Sequence, residues 1–460
     1  MERQTDARFE PSALAAARGG GGAEAAGVVD RLRKAGHEAY LAGGVVRDLL
    51  LGREPGDFDV ATSARPEEVE RLFRRTVPLG RAFGTIAVVG EKESVQVTTF
   101  RRDGLYVDAR HPESVSFGGA REDARRRDFT VNGIFGDPAS GEVLDYVGGV
   151  PDLRAGVLRA IGDPDARFRE DALRILRFPR FAAQLGFDLD PATEEAARAT
   201  AGLLSRISAE RIRDEIAKIL TGPAPGRGLR LLDRLGILPV VLPEIAAMKG
   251  VAQPPEFHPE GDVFEHTCLV LEQLEPRSLF LAFAALLHDV GKPPTFRVAE
   301  RIRFDGHAKI GSQMSERILR RLRFSRREVE GVARLVADHL RMPDVPKMRE
   351  GRRRLFLRRA DFEDLLALHR ADCLGCHGDL AVYRAVGEAR ARLREEELRP
   401  PRLLSGNDLI ALGYPPGPRF GEILRGLEVA QLEGEVADRE AAVGWVRARH
   451  PLKRSDARDR

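Results

Sequence analysis

The sequence predicts an α+β chain, an α/β head followed by an all-helical remainder, on three observations. Short β-type runs at His37–Ala42, Thr85–Val89, Val95–Phe100 and Glu142–Tyr146 alternate with helical pieces between Gly27 and about Ile161. From Phe168 onward the period-two pattern ends and apolar residues fall at helical spacing. Gly and Pro stations at Gly222–Gly228, Pro254–Pro259, Pro343–Pro346 and Pro400–Pro401 cut that helical part into several small bundles in series.

With 460 residues, 43% hydrophobic and 32% charged, the chain can bury several cores and exceeds one ordinary domain. The expected organisation is a mobile leader over 1–26, where Gly19–Gly22 lie among alanines, a head over 27–163 and a helical neck and body over 164–255. A further helical domain over 256–380 and a helical tail over 381–460 complete it. There is no apolar run of about eighteen residues, so no spanning helix is expected, and the N-terminal stretch does not read as an export signal. The three cysteines (Cys268, Cys373, Cys376) are too few for a disulfide framework and fit a reducing, cytoplasmic setting. The net charge of +3 does not by itself demand a polyanionic partner. Arginine runs at Arg125–Arg127, Arg320–Arg327 and Arg352–Arg359 suit either phosphate contact or solvated helix faces paired with carboxylates.

The segment Tyr40-Leu-Ala-Gly-Gly-Val-Val-Arg-Asp-Leu-Leu-Leu-Gly52 reads as a strand, a Gly-Gly turn and a helix. Gly43 and Gly44 let a phosphate approach the backbone, free amides at the helix start face it, and Arg47 adds a guanidinium fork. Beyond it stands Asp57-Phe-Asp59. On a strand, residues two apart share a face, so both carboxylates would enter one site. Two such ligands suit Mg²⁺ ions that activate an attacking 3′ hydroxyl and neutralise a leaving pyrophosphate.

Gly43–Asp48 with Leu51–Gly52 and Asp57–Asp59 resembles the first motif of class II tRNA nucleotidyltransferases and bacterial poly(A) polymerases, within the polymerase-beta superfamily. The likeness continues in order. Arg126-Arg127-Asp128-Phe129-Thr130-Val131-Asn132 resembles the second motif, and Asp145-Tyr-Val-Gly-Gly-Val-Pro-Asp152-Leu153 the third. Glu170-Asp171-Ala-Leu-Arg174-Ile-Leu-Arg177 resembles the base-selecting motif, and Ile207-Ser208-Ala-Glu210-Arg211 the helix after it. The resemblance implies a polymerase-beta-like head, template-independent nucleotide addition to an RNA 3′ end, and contacts from Arg127 and Arg180 to the nucleotide. It also places an acidic residue where Gln96 stands. Either Asp57 and Asp59 suffice, or a neighbour such as Asp108 contributes.

The base-selecting motif is also legible from chemistry, because Asp171 and Arg174 at i and i+3 of a helix would act together, with Arg177 one turn on. A carboxylate accepts from an exocyclic amine while a guanidinium donates to a ring nitrogen or carbonyl. Cytosine and adenine offer that pattern; uracil and guanine do not. CTP and ATP are therefore the expected nucleotides, and the resemblance implies tRNA as the acceptor. The polar stretch Arg101–Pro112 reads as a mobile loop beside the site, which in the family accompanies addition of the terminal A.

Downstream, His266, His288, Asp289, His307, His339 and Asp372 lie within helical sequence. Ligands on successive helices can converge on one or two divalent transition ions such as Mn²⁺, Ni²⁺ or Co²⁺. His288-Asp289-Val290-Gly291-Lys292, after the apolar run Leu279–Leu287, resembles the signature of HD-domain phosphohydrolases. His266, His288, Asp289 and Asp372 match that family's core ligands, and His307 and His339 match the extra ligands of its two-metal members. An HD domain behind such a head resembles bacterial CCA enzymes with phosphatase and 2′,3′-cyclic phosphodiesterase activity. Lys292 reads either as a phosphate contact or as a surface lysine.

Cys373-Leu-Gly-Cys376-His377 also fits a c-type haem attachment pattern, which requires export and is set aside here. In the tail, Ser405 or Asn407 is expected to cap a helix. The leading expectation is CCA addition to tRNA. Alternatives are a poly(A) polymerase, a CC-adding enzyme, and an HD phosphohydrolase whose head only binds RNA.

Overall fold

The computed structural model describes residues 4–80, 84–103, 115–254, 258 and 261–452. It separates into two compact units, Met1–Ala246 and Ala247–Arg460.

The first unit is built on an eight-stranded sheet. Its strands run in the order Gln4–Arg8, Glu142–Asp145, Ile134–Gly136, Ala39–Ala42, Asp59–Thr62, Ser94–Thr99, Thr85–Val89, Thr76–Gly80. All neighbours are antiparallel except Asp59–Thr62 and Ser94–Thr99, which run parallel with Asp59 beside Gln96. Helix Gly21–Lys34 closes one face, its Leu32 sharing a core with Leu41, Val60, Val88 and Val97. The other face holds Ala42, Ala61, Phe100 and Phe135, and helix Ala120–Arg126 adds Ala124. Burying both faces is what the apolar runs at Ala39–Ala42 and Thr85–Val89 require.

Of the leader expected over 1–26, the described residues 4–26 are instead part of this core. Gln4–Arg8 pairs with Glu142–Leu144, and Phe9, Leu14 and Ala25 are buried. The glycine tract has a packing reason: a Cβ on Gly22 would sit 1.8 Å from the Leu14 carbonyl oxygen. Much of the expected 101–112 loop lies outside the described residues, as does Asp108.

The sheet gives way to helices Pro164–Glu170, Leu173–Leu185, Pro191–Thr200, Ala209–Leu220 and Pro225–Arg234. A two-residue parallel pairing joins Val157–Leu158 to Asp188–Leu189, the short strand after helix Leu173–Leu185. The second unit is helical, with Val263–Glu272, Leu279–Leu287, His307–Arg321, Arg326–Asp338 and Phe362–Gly375 around one core. The all-helical expectation misses one hairpin, Arg297–Val298 with Ile302–Arg303. At the end of the chain, Leu409, Ile423, Leu427 and Val446 form a separate small core. Ser405, not Asn407, caps helix Gly406–Ala411, its hydroxyl and Asp408 closing a capping box. Among the described residues no helix is long and apolar enough to cross a membrane.

Candidate functional site

In the first unit, one cavity of about 950 Å³ collects the residues expected to act. Gly43, Gly44, Arg47, Asp57, Asp59, Arg127, Asp171, Arg174, Arg177 and Arg180 all line it. The Gly-Gly turn follows strand Ala39–Ala42 directly, with Gly43 at φ +69° and helix Gly44–Leu50 starting at its second residue. Only a residue without a side chain fits there. A Cβ on Gly43 would stand 2.8 Å from Nη1 of Arg127.

Asp59 opens the strand Asp59–Thr62 and Asp57 lies just before it, so both carboxylates reach the same wall. Burial pushes the Asp59 carboxyl up, Arg127 pulls it back, and the charge of Asp57 adds to the rise. A pair of crowded, partly uncompensated carboxylates is the environment a divalent cation relieves. Gln96, alongside Asp59 on the parallel strand, faces the cavity as well and supplies an amide instead of a third carboxylate.

Arg127 is held by Asp123, which is fully buried at the end of two guanidinium groups. Arg126 reaches one Asp123 oxygen at 2.6 Å and Arg127 the other at 3.1 Å. Burial works to raise the Asp123 carboxyl, but Arg127 and Arg126 hold it below the usual range. Asp123 therefore positions Arg127, and the sequence reading overlooks it. Arg47 meets Asn132 at 2.6 Å from the helix that starts at the glycine turn.

The base-selecting segment differs from its expected form. Asp171 and Arg174 do not share a helix, because the chain breaks at Asp171 (φ −138°, ψ 100°) between Pro164–Glu170 and Leu173–Leu185. Asp171 accepts from the amide of Leu173 at 3.1 Å and from Arg211 at 3.4 Å. Arg174 donates to Glu170 at 2.9 Å and to the carbonyl oxygens of Arg167 and Arg126. Both side chains still face the one cavity. Arg177 pairs with buried Asp128 at 2.6 Å, and Arg180 with Glu215 at 2.7 Å. Arg47, Arg177 and Arg180 all lie within 5.6 Å of the Phe181 ring, which gives the cavity an aromatic surface ringed by cations. Arg211, Gln184 and Lys218 line the cavity as well. The other arginine runs take the solvated reading where they pair: Arg320 with Glu316, Arg326 with Glu330, and Arg359 with Asp338 and Asp361.

In the second unit the six expected ligands converge in two sets of three: His266, His288 and Asp372, then Asp289, His307 and His339. Within each set the candidate ligand atoms all lie within 4.8 Å of one another. Asp289 joins the sets. Its Oδ2 is 3.1 Å from His288 Nε2 and 3.7 Å from His266 Nε2, while its Oδ1 is 3.5 Å from His307 Nε2 and 3.8 Å from His339 Nε2. The Nδ1 atoms of His288, His307 and His339 each sit 2.7 or 2.8 Å from the carbonyl oxygen three residues earlier. A carbonyl only accepts, so these nitrogens carry the hydrogen and the Nε2 lone pairs point inward. Burial pushes the His339 imidazole down to about 4, which keeps it neutral, as a metal ligand must be. This nitrogen-rich donor set, whose two halves meet at Asp289, fits divalent metal ions.

Lys292 is buried, not a surface residue. Its ammonium meets Asp289 at 2.7 Å and Gln253 at 2.5 Å. Burial works against the charge of Asp289, but His288 and Lys292 hold its carboxyl well below the usual range. Cys373 argues against haem attachment, since burial pushes its thiol up to about 12 and leaves no thiolate.

Residues 39–159 match the family model described as the poly A polymerase head domain. Residues 186–249 match the probable RNA and SrmB-binding site of polymerase A, and 263–374 the HD domain. The CCA-adding enzyme of Geobacillus stearothermophilus is 47% identical over 215 residues, 46% of this chain and 53% of that one. The CCA-adding enzyme of Bacillus subtilis (strain 168) is 50% identical over 202 residues, 44% of this chain and 51% of that one. The chain thus spans about half the length of the curated relatives it matches. The crystal structure of Bacillus stearothermophilus CCA-adding enzyme in complex with CTP superposes with a TM-score of 0.72 at 30% identity. That alignment covers 93% of this chain and 97% of the other. On the cavity geometry, the ordered motifs and this near-complete superposition, the chain belongs to the family of the CCA-adding enzymes.

Proposed function

We propose that the protein adds C and A nucleotides from CTP and ATP to the 3′ end of tRNA without a template, in the cytoplasm. The reading rests on one observation: Asp57 and Asp59 share a cavity with the Gly43–Gly44 turn, Arg127, Asp171 and Arg174. Asp57 and Asp59 would hold Mg²⁺, which when bound activates the attacking 3′ hydroxyl and neutralises the departing pyrophosphate. Gly43, Gly44, Arg47 and Arg127 bind and orient the triphosphate, with Asp123 fixing the Arg127 fork. Asp171 accepts from the exocyclic amine of the incoming base and Arg174 donates to its ring nitrogen. Arg177 and Arg180 shape the wall on which that base rests. In this reading 27–163 is the head, 164–255 the neck and body, 256–380 the HD domain and 381–460 the tail.

A second activity belongs to the HD domain: metal-dependent removal of phosphate, including 2′,3′-cyclic phosphate, from an RNA end. His266, His288, Asp289, His307, His339 and Asp372 would hold Mn²⁺, Ni²⁺ or Co²⁺, which supply an activated water and polarise the phosphate. Lys292 donates to Asp289 Oδ2, the oxygen that also faces His288, and so holds the orientation of that carboxylate.

The test is incubation of the purified protein with tRNA lacking its last three nucleotides and each labelled nucleoside triphosphate. Two C and one A are expected. Repeated A identifies a poly(A) polymerase and C alone a CC-adding enzyme. No addition alongside metal-dependent phosphatase activity leaves the head as an RNA-binding module.

A further inference from the structure

The HD cavity, about 410 Å³, is walled on one side by Arg301, Ile302, Arg303 and Phe304, from the small hairpin that interrupts the helical unit. Two residues per strand make a hairpin that is marginal by itself. This one also places Arg297 directly opposite Arg303, a like-charge pairing that destabilises a ladder. Among the described residues neither guanidinium nor that of Arg301 has a carboxylate within ion-pair reach, in a chain where most arginines of the helical runs do. All three are exposed. Beside them, Phe304 lines the cavity and meets Phe296, itself 40% exposed, with ring centroids 5.9 Å apart. Val298 at the hairpin surface is 73% exposed.

Exposed arginines with no carboxylate partner among the described residues, beside the exposed Phe296 ring and the half-buried Phe304 ring, form the pattern that holds a single nucleic-acid strand, with guanidinium on the backbone phosphate and base on the ring. The two metal sets can hold the phosphate that is cut. The arginines stand outside them, so the anion they suit is a second phosphate of the same molecule.

We propose that the hairpin over 297–303, with Phe296 and Phe304, is a strand-binding subsite. It makes the HD site select a phosphate at the end of an oligoribonucleotide over the same phosphate on a mononucleotide. The inference rests on the HD reading above for the reaction, and on the hairpin alone for the selectivity.

The test uses the full chain loaded with Mn²⁺ or Ni²⁺, on a 2′,3′-cyclic mononucleotide and on a tetranucleotide ending in the same cyclic phosphate. The wild type is expected to prefer the tetranucleotide in kcat/KM, and the Arg301→Ala/Arg303→Ala variant to lose at least tenfold of that preference. An unchanged ratio overturns the proposal. Hydrolysis of neither substrate by the wild type sinks the HD reading instead. The subsite is then judged by crosslinking of a 4-thiouridine-ended tetranucleotide. Adducts mapping to 296–304 in the wild type and lost in the variant uphold it, and adducts elsewhere, or none, refute it.

Discussion

Asp171 takes its cross-helix hydrogen bond from Arg211, at 3.4 Å, and not from Arg174 three residues away. The Asp171 carboxylate, proposed to read the incoming base, is therefore oriented by helix Ala209–Leu220, while Arg174 is oriented by Glu170 and the backbone of Arg126 and Arg167. Arg211→Ala removes the orienting donor and leaves the carboxylate in place. KM for CTP and ATP is expected to rise about tenfold with a smaller effect on kcat, because a lost positioning contact weakens nucleotide binding by about 1 to 1.5 kcal/mol. Misincorporation of U should rise in the same variant. Steady-state kinetics with each nucleotide read both; unchanged KM and fidelity would show that Arg211 has no such role.

Gly43→Ala tests the close approach at the turn. The added methyl meets Arg127 at 2.8 Å and the Asn132 carbonyl oxygen at 3.3 Å, at a φ of +69°. The backbone strain alone is about 1 to 3 kcal/mol, and the displaced Arg127 loses its alignment. Nucleotide addition should fall at least tenfold while HD hydrolysis stays at the wild-type rate, with denaturant unfolding reporting the stability loss.

The pairing of buried Asp128 with half-buried Arg177, at 2.6 Å, makes stability depend on pH. Burial works to raise the Asp128 carboxyl, but Arg177, Asn132 and the Phe129 amide lower it from 3.8 to about 2. A carboxylate depressed in the folded state stabilises it above the unfolded value, and that stabilisation is lost as pH falls toward the folded value. The unfolding free energy of wild type should exceed that of Asp128→Asn by on the order of 2 kcal/mol at neutral pH. The gap should close as pH falls from 3.8 to about 2. A pH-independent gap in urea titrations would show that the pair does not contribute in this way.

Asp59→Ala is expected to abolish nucleotide addition and spare metal-dependent phosphohydrolysis, and Asp289→Ala to do the opposite. Asp289 contacts four imidazoles of the second unit, and Asp59 faces only the cavity of the first. Assaying both activities in both variants decides it; joint loss in either one contradicts two separate sites.

The parts of the site that sequence exposes are those where residue type and short spacing carry the chemistry. Gly43-Gly44, Asp57 and Asp59 are a turn and a strand start, and their arrangement follows from local backbone geometry. The six HD ligands are legible because histidines and aspartates are otherwise uncommon in apolar helices. Long-range pairings are not legible this way. Nothing in the neighbourhood of Arg180 points to Glu215, and nothing near Arg211 points to Asp171. The helix predicted across Asp171–Arg174 fails because the aspartate accepts from the Leu173 amide, a local bond that competes with helix continuation. Strand Gln4–Arg8, of sequence QTDAR, has no apolar alternation to betray it and is fixed by its pairing with Glu142–Leu144. The hairpin at 297–303 is too short to show a period.

We propose that Asp57 and Asp59 together bind the ions that drive nucleotide addition, and an anomalous-scattering map of crystals grown with Mn²⁺ and CTP decides it. One peak bonded to both carboxylates beside the triphosphate is the predicted result. A triphosphate seated at the Gly43–Gly44 turn with no metal on either aspartate would contradict it.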